Sequence, residues 1–131
     1  MKRQVKAWLK YAEVDLLSAE KLLNEEKLTQ SVAYHSHQAV EKSLKAMLEN
    51  KNIRIPKIHD LEKLYGMIIK AGIKVKLDED ILAQVNDVYI DSRYPGDAGL
   101  IPEGTPSIGK AKEFFKAAKD VYRKVLDIIG E

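Results

Sequence analysis

Apolar residues along this chain recur at steps of three and four, and the recurrence divides it into five helical segments. Over residues 2–24, Val5, Trp8, Leu9, Ala12, Leu16, Ala19 and Leu23 mark one face, with Lys6, Lys10, Glu13, Glu20 and Lys21 opposite. Over residues 29–51, Ala33, His37, Val40, Leu44 and Met47 form a row, edged by Val32, Tyr34, Glu41 and Leu48. Thr29 reads as the N-cap of this second helix, and Asn50-Lys51-Asn52 ends it. A shorter third helix carries Leu61, Leu64, Tyr65, Ile68 and Ile69 and stops at Gly72, a left-handed C-cap.

The fourth helix starts from Asp78 as N-cap, with Glu79 and Asp80 complementing the helix dipole. Its face is Ile81, Leu82, Val85, Val88 and Tyr89, and Pro95-Gly96 ends it near Arg93. The last helix opens on Thr105 as N-cap with Pro106 at its first position, then repeats through Ile108, Ala111, Phe115, Ala118, Tyr122, Val125 and Ile129. No stretch alternates with period two. The fold class is therefore all-α, an up-and-down antiparallel bundle of four to five helices. One connection, residues 93–105, is too long for simple packing, and such loops often carry function.

Composition bounds the rest. At 131 residues the chain reads as a single domain over residues 1–131, long enough to bury roughly two-thirds of its unfolded surface. There is no cysteine, which excludes disulfides, thiolate metal sites and a Cys nucleophile, and fits a cytoplasmic location. The basic N-terminus has no apolar stretch behind it, and no run approaches the roughly 20 residues that cross a bilayer, so neither secretion nor a membrane is expected. The net charge is +2, so nucleic-acid binding needs a local patch.

The three histidines limit the chemistry. His35 and His37 stand two apart on a helix, about 200° from each other, and do not chelate one metal. The residues three before His35, His37 and His59 are Val32, Tyr34 and Pro56, so the Glu-x-x-His pattern of dimetal bundles is absent. No metal or other cofactor is expected. His37 reads as a hydrogen-bonded core histidine and His35 as a surface one. Gln38, Glu41, Lys42 and Lys45 form a row in which Glu41 and Lys45 are an exposed i,i+4 pair worth about 0.3–0.5 kcal/mol, and Lys42 and Lys45 offer a basic strip to a partner.

Four blocks in order then resemble a known family. They are Trp8, Ala12 and Asp15-Leu16; the run from Tyr34 to Ala46, Tyr-His-Ser-His-Gln-Ala-Val-Glu-Lys-Ser-Leu-Lys-Ala; His59-Asp60-Leu61; and Ser92-Arg93-Tyr94-Pro95. Together they resemble the HEPN domain (higher eukaryotes and prokaryotes nucleotide-binding) over nearly the whole chain. The resemblance implies a helical bundle that forms homodimers and pairs with a minimal nucleotidyltransferase, commonly in toxin–antitoxin or defence systems. Some members are metal-independent ribonucleases with a late Arg, four to six residues, then His. Here no histidine follows Arg93, while Arg54 and His59 have that spacing in an earlier connector interrupted by Pro56.

The expected role is thus a nucleotide- and partner-binding module without catalysis of its own. Lys42, Lys45, His59, Arg93 and Tyr94 are the expected binding residues, with His37, Gln38 and Glu41 as structural support. A rival expectation is a metal-independent endoribonuclease drawing on His59, Arg93 or Arg54, with His37 as a further imidazole. A third is a purely structural helical adaptor.

Overall fold

The computed structural model describes residues 1–93 and 105–130, the side chains of residues 90–93 excepted. Its elements are α1 (Arg3–Leu22), a 3₁₀ turn (Glu26–Leu28), α2 (Thr29–Asn50), α3 (Leu61–Lys70), α4 (Glu79–Arg93) and α5 (Ile108–Ile129). α1, α2, α4 and α5 run alternately up and down. The pairings set the directions: Ala19 of α1 packs beside Val32 near the start of α2, and Trp8 lies near Lys45 towards its end. Tyr122 of α5 reaches Glu13 of α1, while Ala111 at the start of α5 joins Ala19 and Val32.

α2 occupies the centre, packed by α1, α3, α4 and α5. Leu44, Met47 and Leu48 are buried there beside Leu61, Leu64 and Ile68 of α3, Leu82 and Val85 of α4, and Phe114, Val121 and Val125 of α5. Each such side chain contributes about 1.5–3 kcal/mol relative to staying in water. Ala12, Ala19, Ala33 and Ala39 are fully enclosed, and their small side chains let backbones approach closely. Among the described residues no helix is long and apolar enough to cross a membrane.

The caps explain where the helices stop, and two of them differ from expectation. Asp78 caps α4 as expected, its Oδ1 accepting the amides of Asp80 at 3.0 Å and Ile81 at 3.3 Å. Thr29 does not cap α2. Its backbone is already helical (φ −61°, ψ −32°) because the 3₁₀ turn feeds straight into the helix, whereas a capping residue needs extended backbone. α5 starts two residues later than expected. Ser107, extended at φ −67° and ψ 163°, accepts the Lys110 amide at 3.0 Å, so neither Thr105 nor Pro106 holds the first turn.

α2 and α3 both end through a left-handed residue, Asn52 at φ 60° and Gly72 at φ 81°. In each case the following amide returns to a carbonyl five residues back, Ile53 to Leu48 at 3.0 Å and Ile73 to Ile68 at 3.2 Å. Tyr65 then fixes the α3–α4 connector, donating to the Val75 carbonyl and accepting the Leu77 amide.

Candidate functional site

The apolar packing of α2 is interrupted on one side by charge. Asp15, His37, Glu41, Lys45 and Asn86 are all buried. A buried charge is tolerated only when it is paired, and Asp15, Glu41 and Lys45 each are. Glu41 Oε2 accepts Lys45 Nζ at 3.0 Å, and its Oε1 accepts His59 Nδ1 at 2.9 Å. Asp15 repeats the arrangement one element away, with His35 Nδ1 on Oδ1 at 2.9 Å and Lys42 Nζ on Oδ2 at 2.6 Å. Each carboxylate therefore grips one imidazole and one ammonium.

Helical geometry places the two clusters side by side. His35, Gln38 and Lys42 lie along one row of α2, and Tyr34, His37 and Glu41 along the next. α1 borders the first row through Asp15 and Tyr11, with Lys42 Nζ 5.9 Å from the Tyr11 ring centroid. α4 borders the second through Tyr89, whose ring stacks on His37 at 3.8 Å and 11° and on Tyr34 at 6.0 Å and 17°. The polar side chains along this side of α2, bordered by α1 on one side and by His59 and α4 on the other, are called the trough below.

His37 lies fully buried beneath these side chains. Its Nε2–H donates to the His59 carbonyl at 2.9 Å, and Nδ1 faces the Gln38 side-chain amide at 3.3 Å. Burial pushes this imidazole below its ordinary 6.5; the Glu41 charge and bonds to Gln38, Asn86 and the His59 carbonyl oppose that shift without overcoming it. Asp60 and Asn86 lock the adjacent end of α3. Asp60 Oδ1 accepts the Glu62 and Lys63 amides, and Asn86 accepts the Leu61 amide at 3.1 Å while its own amide faces Asp60 at 3.4 Å. His59, the residue before this cap, is thereby held over Glu41.

The structure thus gathers Lys42, Lys45, His59, His37, Gln38 and Glu41 into one place. Two details overturn the sequence reading. Glu41 and Lys45 are not an exposed pair but a buried one, their side chains 5% and 6% exposed, because Trp8 and the α3 entry cover that turn of α2. Lys45 therefore offers no basic strip to a ligand. His35 is not a simple surface residue either; its side chain is 28% exposed and docks on Asp15. What faces outward is His59, 53% exposed, with His35 and Lys42, 24% exposed, beside it.

Arg93 is the last residue of α4, one helical turn beyond Tyr89, and its side chain is outside the described residues. Tyr94 and residues 94–104, where the long loop was expected to meet α2, are also outside them. Arg54 is exposed in the connector before α3 and makes no ion pair or hydrogen bond to the trough among the described residues.

Asp15, Tyr89 and Asn86 were not among the expected site residues. Asp15 carried a signal: it falls between Ala12 and Ala19 on the apolar stripe of α1, where an unpaired carboxylate would be costly. Asn86 sits in the same way beside Val85 on the buried face of α4. Tyr89 was read as core, which it is; its partner ring had no sequence signal.

Fold and site together define an all-α bundle with a polar trough over its central helix. The family description "HEPN domain" matches residues 5–128, and the chain belongs to that family. Among solved structures it is similar to the crystal structure of an archaeal HEPN homologue, with a TM-score of 0.71 and 26% identity, covering 98% of this chain and 99% of that one. A search of curated proteins returned no match.

Proposed function

We propose that this HEPN domain binds the phosphate of a nucleotide or of an RNA end in the trough over α2, and acts, as a homodimer, with a separate nucleotidyltransferase subunit in a toxin–antitoxin or defence system. The observation that carries the binding reading is the pair of buried carboxylates, Asp15 and Glu41, each presenting an imidazole at the trough surface. Presentation by a buried partner fixes each ring before a ligand arrives, which lowers the ordering cost of binding. Tyr34, partly exposed beside Tyr89, supplies an aromatic face on which a base stacks.

Charge decides the conditions. Asp15 and Glu41 cancel Lys42 and Lys45, so these four side chains bring no net charge and an anion needs a further cation, the role we assign to Arg93. The family resemblance of Ser92-Arg93-Tyr94-Pro95 supports a role for Arg93 in that sense. The pairing with a nucleotidyltransferase rests on family membership alone; cytoplasmic placement accords with a cysteine-free chain. The test titrates ATP and a short 5′-phosphorylated RNA into the protein by calorimetry, beside His59→Ala and Lys42→Ala. Affinity lost in both variants supports the trough; unchanged affinity for both ligands removes it. Reading the neighbouring frames for a nucleotidyltransferase, and co-purifying the chain with one encoded there, tests the partner.

One observation favours a second reading, a metal-independent endoribonuclease. With Nδ1 donating to Glu41, the Nε2 of His59 is left as the proton acceptor, and no described residue occupies it. An imidazole oriented by a buried carboxylate is the arrangement of a general base. It would remove the 2′-hydroxyl proton of RNA as that oxygen attacks phosphorus and the 5′-oxygen leaves, protonated by water, giving a 2′,3′-cyclic phosphate. Incubation of labelled RNA with the protein in EDTA decides between the readings. Cyclic-phosphate ends lost in His59→Ala would establish catalysis; intact RNA leaves binding alone.

A further inference from the structure

The link between α3 and α4 is short, yet its backbone is ordered in a particular way. Along Ile73-Lys74-Val75-Lys76-Leu77, Ile73 and Leu77 are buried and Val75 partly so, while Lys74 and Lys76 are exposed. Such alternation marks extended backbone, in which successive residues also turn their N–H and C=O groups to opposite edges. The hydrogen bonds agree. The Tyr65 hydroxyl takes up one edge, donating to the Val75 carbonyl at 3.0 Å and accepting the Leu77 amide at 3.1 Å. Lys74 and Lys76 therefore direct their backbone groups to the other edge, where Lys124 Nζ of α5 donates to the Lys76 carbonyl at 2.8 Å. Among the described residues the Lys74 amide, the Lys74 carbonyl and the Lys76 amide bond to nothing.

The same link borders an open hollow of about 580 Å³, lined by Ile69, Gly72, Ile73, Lys74, Val75 and Lys76. Ile69 is 50% exposed there. Charge around it is one-sided. Residues 51–76 hold seven lysines and arginines against two acids, in a chain whose net charge is only +2. One of those acids, Asp60, is taken up by the first amides of α3. Asp78, just beyond the link, is likewise engaged by the amides of Asp80 and Ile81. Among the described residues Lys70, Lys74 and Lys76 pair with no carboxylate, whereas Lys124 is held by Asp120 at 3.1 Å.

We infer that this link is a docking edge for an extended, acidic segment of another protein. An extended peptide laid along a free edge gains affinity from backbone hydrogen bonds and specificity from alternate side chains. The alternation here specifies the visitor. Its residues beside Lys74 and Lys76 carry carboxylates, and the residue between them is a branched aliphatic that enters the hollow beside Ile69 and Val75. The pattern is acid, aliphatic, acid. A single strand of RNA fits less well, because its bases need aromatic faces and the ring at this link, Tyr65, is buried. A lipid surface calls for apolar side chains that project on one helix face, and here they line a hollow. No residue of the trough lines that hollow, so the inference stands whether the trough binds a nucleotide, cuts RNA or does neither.

Fluorescence polarisation on the full chain tests it, with a labelled peptide Glu-Val-Glu-Val-Glu flanked by glycines. That peptide binds saturably, and Lys-Val-Lys-Val-Lys does not. Lys74→Glu combined with Lys76→Glu weakens binding by at least about tenfold, and Ile69→Asp weakens it comparably. All three side chains are exposed, so circular dichroism and thermal melts of these variants match the wild type. Two further peptides, N-methylated on alternate residues in opposite phase, separate edge pairing from plain charge attraction. One phase abolishes binding and the other spares it, because only one set of amides faces the edge. No binding at about 1 mM peptide overturns the inference. So does binding indifferent to the lysine reversals or to the methylation phase. An oligouridylate that binds and displaces the peptide from Lys74 and Lys76 overturns it too, in favour of RNA.

Discussion

The imidazole of His37 lies flat against the ring of Tyr89, centroids 3.8 Å apart and planes 11° from parallel. This contact joins α2 to α4 beneath the trough side chains, and it is made by a ring that burial keeps neutral. Its neighbours on every side matter to that state: Glu41 and Gln38 on α2, the His59 carbonyl, Asn86 on α4.

The first prediction follows from that neutrality. Because the folded-state value of His37 is lowered, the unfolded chain binds the extra proton first as pH falls below the ordinary 6.5. The stability that His37 contributes is thus fully present above 6.5 and is lost progressively below it, down to the folded-state value. Urea melts between pH 8 and pH 5 should show this decline. In His37→Gln the decline should be shallower; an identical slope would mean that other groups set it.

The buried pair gives the second. Glu41→Gln keeps the shape of the side chain but leaves the Lys45 ammonium, 6% exposed, without its counter-charge. Breaking a buried pair from one side costs about 3–5 kcal/mol. Chemical denaturation should record a loss of that order, and adding Lys45→Met should recover most of it. A loss below about 1 kcal/mol would show that Lys45 escapes to solvent past Trp8, as an exposed pair would allow.

Asn86→Ala is the third. It orphans the buried Leu61 amide and removes the contact to Asp60, which costs about 1–3 kcal/mol. His59 stands immediately before that cap, so the same substitution should weaken ligand binding or RNA cleavage although Asn86 is buried. Loss of stability with unchanged function would detach His59 from the site.

The fourth separates two candidate caps. Ser107→Ala should cost about 0.5–2 kcal/mol, the usual value of an N-cap, because its hydroxyl holds the Lys110 amide. Thr105→Ala should stay within about 0.5 kcal/mol of wild type. Thermal melts of the two variants, run together, suffice.

Much of this molecule was legible along the chain. The 3-4 recurrence of Val5, Leu9, Ala12, Leu16 and Ala19, and of Ala111, Ala118 and Val125, reproduces their burial, since helical periodicity depends on local geometry alone. Asp78 and Gly72 were legible for the same reason: a cap bonds amides two and three residues away, and a left-handed C-cap needs only its own backbone. The choice between Thr105 and Ser107 was not, because both are suitable caps and packing of α5 on α2 selects the start.

The site was legible in residue type but not in state. His37, Glu41, Lys42, Lys45 and His59 could be picked out as polar residues near the core face or in a family-like run. Nothing local says that Lys45 is enclosed, that His35 rests on an aspartate twenty residues earlier, or that His59 closes on Glu41. Those facts depend on α1 and the α3 entry lying against α2, and burial converts an ordinary surface pair into an obligatory one. The sequence by itself determined the helices, their faces and the family. The tertiary structure decided which charges are structural and which face outward, because pairing and desolvation arise only when distant segments meet.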